Sequence, residues 1–207
     1  MSGRLTITGA ARALNSRART TLPALVLMTD TARLADPLTV IDRLPKGSAV
    51  ILRHYATAAD RPSREALARS LARTCRARGL RLLIAADAKL ALRIHADGLH
   101  LPEWQLRAQA GRIRRPRKGF LVTAACHSAT ALAMAARVGV DAALLAPVFP
   151  SASHPGAPSL GALRFSAWVQ GAGVPVYALG GVNHLTARRL APSGAIGIAG
   201  IGFATAP

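Results

Sequence analysis

Two apolar runs near the C-terminal end of the chain finish in glycine: Val174–Leu179 before Gly180-Gly181, and Ala195–Ala199 before Gly200. Glycine lacks Cβ and tolerates positive φ, so backbone N–H groups at such turns can approach an anion closely. If the runs are neighbouring parallel strands, both turns fall on one sheet edge and make a candidate phosphate site at Gly180, Gly181 and Gly200. The competing reading is two left-handed turns that hold nothing. A second candidate is His127, after the run Phe120–Ala125. Strand alternation puts Thr123, Ala125 and His127 on one face and Val122, Ala124 and Cys126 on the other. Cys126 and His127 are therefore not a nucleophile–base pair despite their adjacency. Histidine titrates near neutrality and can carry a proton. Alternatively, His127 merely precedes a helix capped by Ser128. His100 reads as a hydrogen-bonded core residue, and His54, His95 and His184 have no legible partner. Cys75 and Cys126 form no CxxC motif, and no Cys/His spacing suggests zinc.

These residues need a scaffold, and composition bounds it. A chain of 207 residues that is 51% hydrophobic can bury one sizeable core. No stretch is long and apolar enough for a transmembrane helix. The first twenty residues carry four arginines and no acid, without the apolar centre of a secretory signal. Residues 1–21 are read as a basic N-terminal extension, with a helix covering the rest, and 22–207 as one domain. Two cysteines suit a reduced, cytoplasmic compartment. The net charge of +18 favours phosphorylated small molecules or polyanions. The arginines are scattered over helix candidates and not interleaved with aromatics, which are only 4% of the chain. A phosphorylated small molecule is therefore the expected partner, and neither nucleic acid nor membrane is. The oligomeric state stays open, a homodimer being one option.

Apolar runs alternate with helical patterns, which argues for repeated βα units on a parallel sheet. The strand candidates are Ala24–Met28, Ala49–Arg53, Arg81–Ala85, Gly98–Leu101, Phe120–Ala125, Ala142–Ala146, Val174–Leu179 and Ala195–Ala199. Between them lie helix candidates Pro37–Leu44, Ser63–Arg78, Ala88–Ile94, Trp104–Ala110, Ala129–Val138, Gly161–Gln170 and His184–Leu190. Gly79 and Gly139 suit helix C-termini. Eight strands close a barrel. The expected fold is a compact (β/α)₈ TIM barrel with a truncated C-terminal helix. An open doubly wound sheet is the alternative, but Thr29-Asp30-Thr31 lacks the glycine-rich turn that it would carry.

With those elements placed, the chain resembles the thiamin-phosphate synthase/thiazole tautomerase (TenI) family over about Leu22–Ala204. The carriers are LVLMTD (Leu25–Asp30), VILRHY (Val50–Tyr55), ADGLHLP (Ala96–Pro102), ACHS (Ala125–Ser128), DAALLAPVFPSASHPG (Asp141–Gly156), ALGGV (Ala178–Val182) and IGIAGIGFA (Ile196–Ala204). The resemblance implies a barrel that binds a thiazole phosphate in thiamin metabolism. Gly180, Gly181 and the stretch Ala199, Gly200, Ile201, Gly202 match the phosphate-holding backbone. Arg53 matches an arginine facing the anion, for which its planar fork is suited. The alternatives for Arg53 are solvent exposure or pairing with Asp30. Ser151 and Ser153 match hydroxyl residues after strand 6, and otherwise are ordinary loop hydroxyls. His154 stands where the synthases have lysine.

The synthase branch carries a carboxylate after strand 3 and another after strand 4, which hold Mg²⁺ for pyrophosphate departure. Those positions are Ala86 and Gln105 here, neither of which supplies an anionic oxygen. Asp87 and Glu103 stand nearby as weak metal candidates, and are read instead as a helix N-cap and a first-turn acid. Ile51 and Tyr55 also replace the glutamine and lysine that flank the arginine. The tautomerase branch needs no metal and uses a histidine after strand 5 as acid/base, the position of His127. The resemblance therefore favours metal-independent, isomerase-type proton transfer without a cofactor. The alternatives are a Mg²⁺-dependent synthase with a rebuilt metal site, and a non-catalytic phosphate-binding barrel.

Overall fold

A computed structural model describes residues 6–34, 36–55, 60–151, 156 and 158–201. The strands are β1 (Leu25–Met28), β2 (Ala49–Leu52), β3 (Arg81–Ala85), β4 (Gly98–Leu101), β5 (Leu121–Cys126), β6 (Ala142–Leu145), β7 (Val176–Leu179) and β8 (Gly197–Gly200). All pair in parallel and in chain order, and β8 returns to β1 to close the barrel. β1, β2 and β6 are buried along their whole length, as expected of strands covered by side chains inside and by helices outside. The TIM-barrel expectation holds, and the open sheet is excluded by the β1–β8 pairing.

The helices are α1 (Ile7–Arg17), α2 (Pro37–Ile41), α3 (Arg61–Arg78), α4 (Ala88–Arg93), α5 (Glu103–Arg107), α6 (Ala129–Val138) and α7 (Gly161–Gln170). α3 starts two residues before the expected Ser63, because Pro62 suits a first helical turn, where no intrahelical N–H is needed. Its C-terminus at Gly79 and that of α6 at Gly139 are left-handed, as anticipated. The segment expected as a last helix is a 3₁₀ turn, Thr186–Leu190. Asn183 starts it by accepting from the N–H groups of Leu185 and Thr186. α1 packs beside β8 and β1. Its Asn15 amide donates to the carbonyls of Leu22 and Ile196, both at 3.0 Å, and so ties the helix to the strand starts. The expected truncation of the C-terminal helix lies outside the described residues. No helix among the described residues is long and apolar enough to cross a membrane.

Two glycine-free positions carry unusual backbone at the strand ends. Ala86, just after β3, has φ +62, and His95, before β4, has φ +54. A non-glycine residue pays roughly 1–2 kcal/mol for this conformation. Ala86 is held there by its N–H on the carbonyl of His100 at 3.0 Å.

Candidate functional site

The C-terminal ends of the strands form the mouth of the barrel, where sites of this fold are built. At the β7–β8 side, Gly180 has φ +91 and Gly181 φ +66. A Cβ on Gly181 would lie 2.4 Å from the carbonyl oxygen of Pro150 and 2.6 Å from that of Phe149. The loop after β6 is thus pressed onto the glycines, and its Val148 and Phe149 N–H groups donate to the carbonyls of Leu179 and Gly180. The Gly181 carbonyl accepts from Thr186 Oγ1 at 3.0 Å. Among the described residues, the N–H groups of Gly181 and Val182 donate to nothing. Ala199 and Gly200 lie within β8, in register with Val26 and Leu27 of β1, so the sheet uses part of their backbone. Ile201 is buried behind them, and Ser151 is half-buried at the end of the β6 loop. Ser153, His154 and Gly202 lie outside the described residues. Arg189, unremarked in the sequence, stacks 5.1 Å over Phe149 beside this loop.

At the β1–β2 side, the Arg53 guanidinium meets Asp30 at 2.5 Å, the pairing weighed as its alternative. Asp30 also takes Arg33 at 3.2 Å. Burial works to raise the Asp30 carboxyl, but hydrogen bonds and charge from Arg33 and Arg53 outweigh it and hold the group at about 2. Thr29, fully buried, accepts from the Arg53 N–H at 3.0 Å and bonds His54 Nδ1 at 2.7 Å. Burial lowers the His54 pKa, and the charges of Arg64 and Arg53 add to the effect against the opposing charge of Asp30. His100 is 1% exposed and bonds its register partner Thr123 at 2.9 Å inside the barrel, as a core residue should. Burial, and then the charge of Arg53, push it down to about 3, so it stays neutral.

At the β3–β5 side, side chains are cross-linked to one another. The Gln105 amide donates to the Ala86 carbonyl at 3.0 Å. Asp87 caps α4 through the Leu90 N–H at 2.8 Å and pairs with Arg64 at 3.0 Å. Arg64, its side chain only 9% exposed, also donates to the carbonyls of His54 at 2.5 Å and Ala85 at 2.6 Å, pinning the ends of β2 and β3. Glu103, the first residue of α5, reaches across to β5. Its Oε2 accepts from the His127 backbone N–H at 2.8 Å and from the ring Nδ1 at 2.7 Å, while Oε1 takes Arg107. Burial would raise the Glu103 carboxyl, but the hydrogen bonds from Arg107 and His127 win and lower it. The His127 side chain is 57% exposed. Cys126, beside it in sequence, is buried on the helix side, and burial pushes its thiol up to about 12.

The capping role expected of Asp87 is present. Glu103 is a first-turn acid but does more, and its bond to His127 was not read from the sequence. Neither carboxylate is free for a cation, and at Ala86 and Gln105 a methyl group and an amide replace the oxygens Mg²⁺ takes. The residues present do not fit the metal that the synthase branch implies. Among the described residues, no group of three His, Cys, Asp or Glu side chains could hold one. Arg64 was also missed, although helical spacing placed it one turn before Ala68, Leu71 and Cys75, the buried stripe of α3.

Comparison with known proteins agrees with this architecture. The family model for thiamine monophosphate synthase matches residues 25–203. The thiamine-phosphate synthase of Thioalkalivibrio sulfidiphilus is 30% identical over 151 residues, covering 72% of this chain and 71% of that protein. The thiamine-phosphate synthase of Geobacillus kaustophilus is 31% identical over 147 residues, covering 70% of this chain and 66% of that protein. Across such curated relatives the matched stretch covers 63–71% of their length. Among solved structures, thiamine phosphate pyrophosphorylase from Pyrococcus furiosus superposes with a TM-score of 0.67. It is 22% identical and covers 89% of this chain and 87% of its own, a likeness of fold. With the family model spanning the whole barrel and a relative at 30% identity, the chain belongs to the thiamine monophosphate synthase (TMP-TENI) family.

Proposed function

We propose that this barrel binds a thiazole phosphate and moves a proton on it without a metal, the chemistry of the tautomerase branch. The observation that carries the reading is the Glu103–His127 pair. A carboxylate can only accept, so Nδ1 of His127 must hold the proton in that bond. In the neutral ring this leaves the Nε2 lone pair as a base. The ring is more than half exposed and can meet a ligand. Nε2 takes a proton from the thiazole carboxylate phosphate, and the imidazolium, still bonded to Glu103, returns one at the second position. Nothing else is gained or lost, and Glu103 stabilises the charge that the ring acquires in between.

Phosphate recognition falls to the opposite side of the mouth. The unpartnered N–H groups of Gly181 and Val182 are suited to a dianion. Gly200 and Ile201, with Ala199 behind them, extend that edge, and Ser151, Ser153, His154 and Gly202 are assigned to the same ligand from the sequence. Arg53 supplies the fork, and Asp30 holds it in the absence of ligand. Titration calorimetry with a thiazole phosphate tests the assignment, run with Mg²⁺ and with EDTA. The expected result is equal affinity in both, weakened by Arg53→Ala and by Arg53→Lys. No binding, or binding that requires Mg²⁺, would overturn it.

A further inference from the structure

Beside the barrel mouth, between α3, α4 and the start of α5, lies a groove of about 1150 Å³. Its walls carry five cationic side chains against two carboxylates, Glu65 and Asp87. Both carboxylates are already taken. Glu65 is shared by Arg69 on α3 at 2.7 Å and Arg93 on α4 at 3.3 Å, and Asp87 belongs to Arg64. Arg61 and Lys89 are exposed and, among the described residues, form no ion pair. Two aromatic rings open onto the same groove. Tyr55, after β2, is 56% exposed, and Trp104, on α5, is 65% exposed. Among the described residues, no other Phe, Tyr or Trp side chain is so exposed.

That combination selects a class of ligand. An excess of guanidinium and ammonium groups repels metal ions and attracts polyanions. An acidic peptide would use the cations but leave both rings in water. A single nucleic-acid strand uses both, with phosphates along the cations and bases stacked on the rings. In the sequence, Trp104 stands far from Tyr55 and from the arginines of α3, so the pairing of both rings with those cations is not visible there. The barrel closes that distance. We propose that this groove, which runs from Ala86 and Asp87 at the β3 side of the mouth outward between α3 and α4, binds single-stranded nucleic acid. The +18 charge of the chain would speed the encounter.

The test is fluorescence anisotropy of a labelled single-stranded oligonucleotide of about ten nucleotides, titrated with the full-length protein over a salt series. Contact of three or four phosphates predicts a log–log salt slope of about −2 to −3. Arg61→Glu/Lys89→Glu should weaken binding by roughly tenfold or more. Trp104→Ala should weaken it by about fivefold or more, and Trp104→Phe should restore much of the loss. Arg114→Glu/Lys118→Glu, the same charge change in the loop before β5 at the other end of the barrel, should cost little. Thermal melts of every variant check that the exposed substitutions leave the fold intact. Three results would each overturn the proposal. The first is an equal loss in the Arg114/Lys118 control, which would reduce binding to net charge. The second is an unchanged affinity in Trp104→Ala. The third is competition by polyglutamate or a nucleoside diphosphate at the oligonucleotide's own affinity.

Discussion

At the β7–β8 side of the mouth, the groups on offer are backbone N–H groups of Gly181 and Val182, whereas at the β3–β5 side they are side chains already bonded to one another. The first arrangement leaves donors unsatisfied, which favours an anion. The second leaves the Nε2 edge of His127 open, while the carboxylates of Asp87 and Glu103 and the amide nitrogen of Gln105 are each committed to a neighbour. A barrel can thus separate holding from reacting by the material of its rim. Fixed backbone suits a phosphate, which needs several donors and no proton exchange. An oriented imidazole suits a proton, which needs one group that changes charge.

The sharpest way to break this contrast is to add one carbon on the first side and remove one on the second. Gly181→Ala puts a Cβ into two backbone carbonyls at a φ of +66. It should cost on the order of 3 kcal/mol in a urea unfolding experiment and abolish thiazole phosphate binding. Ala86 already carries its Cβ at a φ of +62, so the reverse change, Ala86→Gly, should alter stability by less than about 1 kcal/mol. A Gly181→Ala protein that folds and binds normally would dissolve the distinction.

Next in size is Glu103→Gln, which keeps the shape and an acceptor for the His127 N–H but removes the charge behind the ring. The rate of proton transfer should fall by about ten- to a hundredfold while ligand affinity holds, a split visible as a change in kcat without one in KM. A parallel loss of affinity would mean that Glu103 serves the fold and not the ring.

A smaller effect concerns the floor between the two sides. His100 stays neutral down to about 3 in the fold, whereas an unfolded histidine protonates near 6.5. Between those values the unfolded chain binds more protons, so stability rises with pH through the window and is lost as pH falls below about 6.5. The share from His100 is on the order of 2 kcal/mol between pH 7 and pH 5. His100→Gln should flatten that slope in thermal melts across the same range. An unchanged slope would contradict a neutral, buried His100.

The closed barrel was legible because short buried parallel strands read as uninterrupted apolar runs, and α6 and α7 match their expected limits at both ends. The start of α3 was not, because the sequence shows Ser63 as a good cap but not that Pro62 already fits the first turn. The glycine turns were visible, but the reason for them was only half so. Gly181 is also glycine because the backbone of Phe149 and Pro150 lies against it, a contact between loops far apart in the chain. The Glu103–His127 bond was illegible for the same reason. It joins the ends of neighbouring strands across a barrel edge, and sequence spacing carries no trace of that edge.

The most direct test of the central claim measures two reactions side by side, proton transfer on a thiazole carboxylate phosphate and condensation of a thiazole phosphate with a pyrimidine pyrophosphate, each with Mg²⁺ and with EDTA. The account predicts proton transfer that is indifferent to EDTA and falls by about 10²–10⁴ in His127→Asn, the usual contribution of one positioned acid/base. It predicts no Mg²⁺-dependent condensation, since Ala86 and Gln105 offer the metal no carboxylate. Robust condensation that EDTA and Asp87→Ala both abolish, with proton transfer absent, would contradict it.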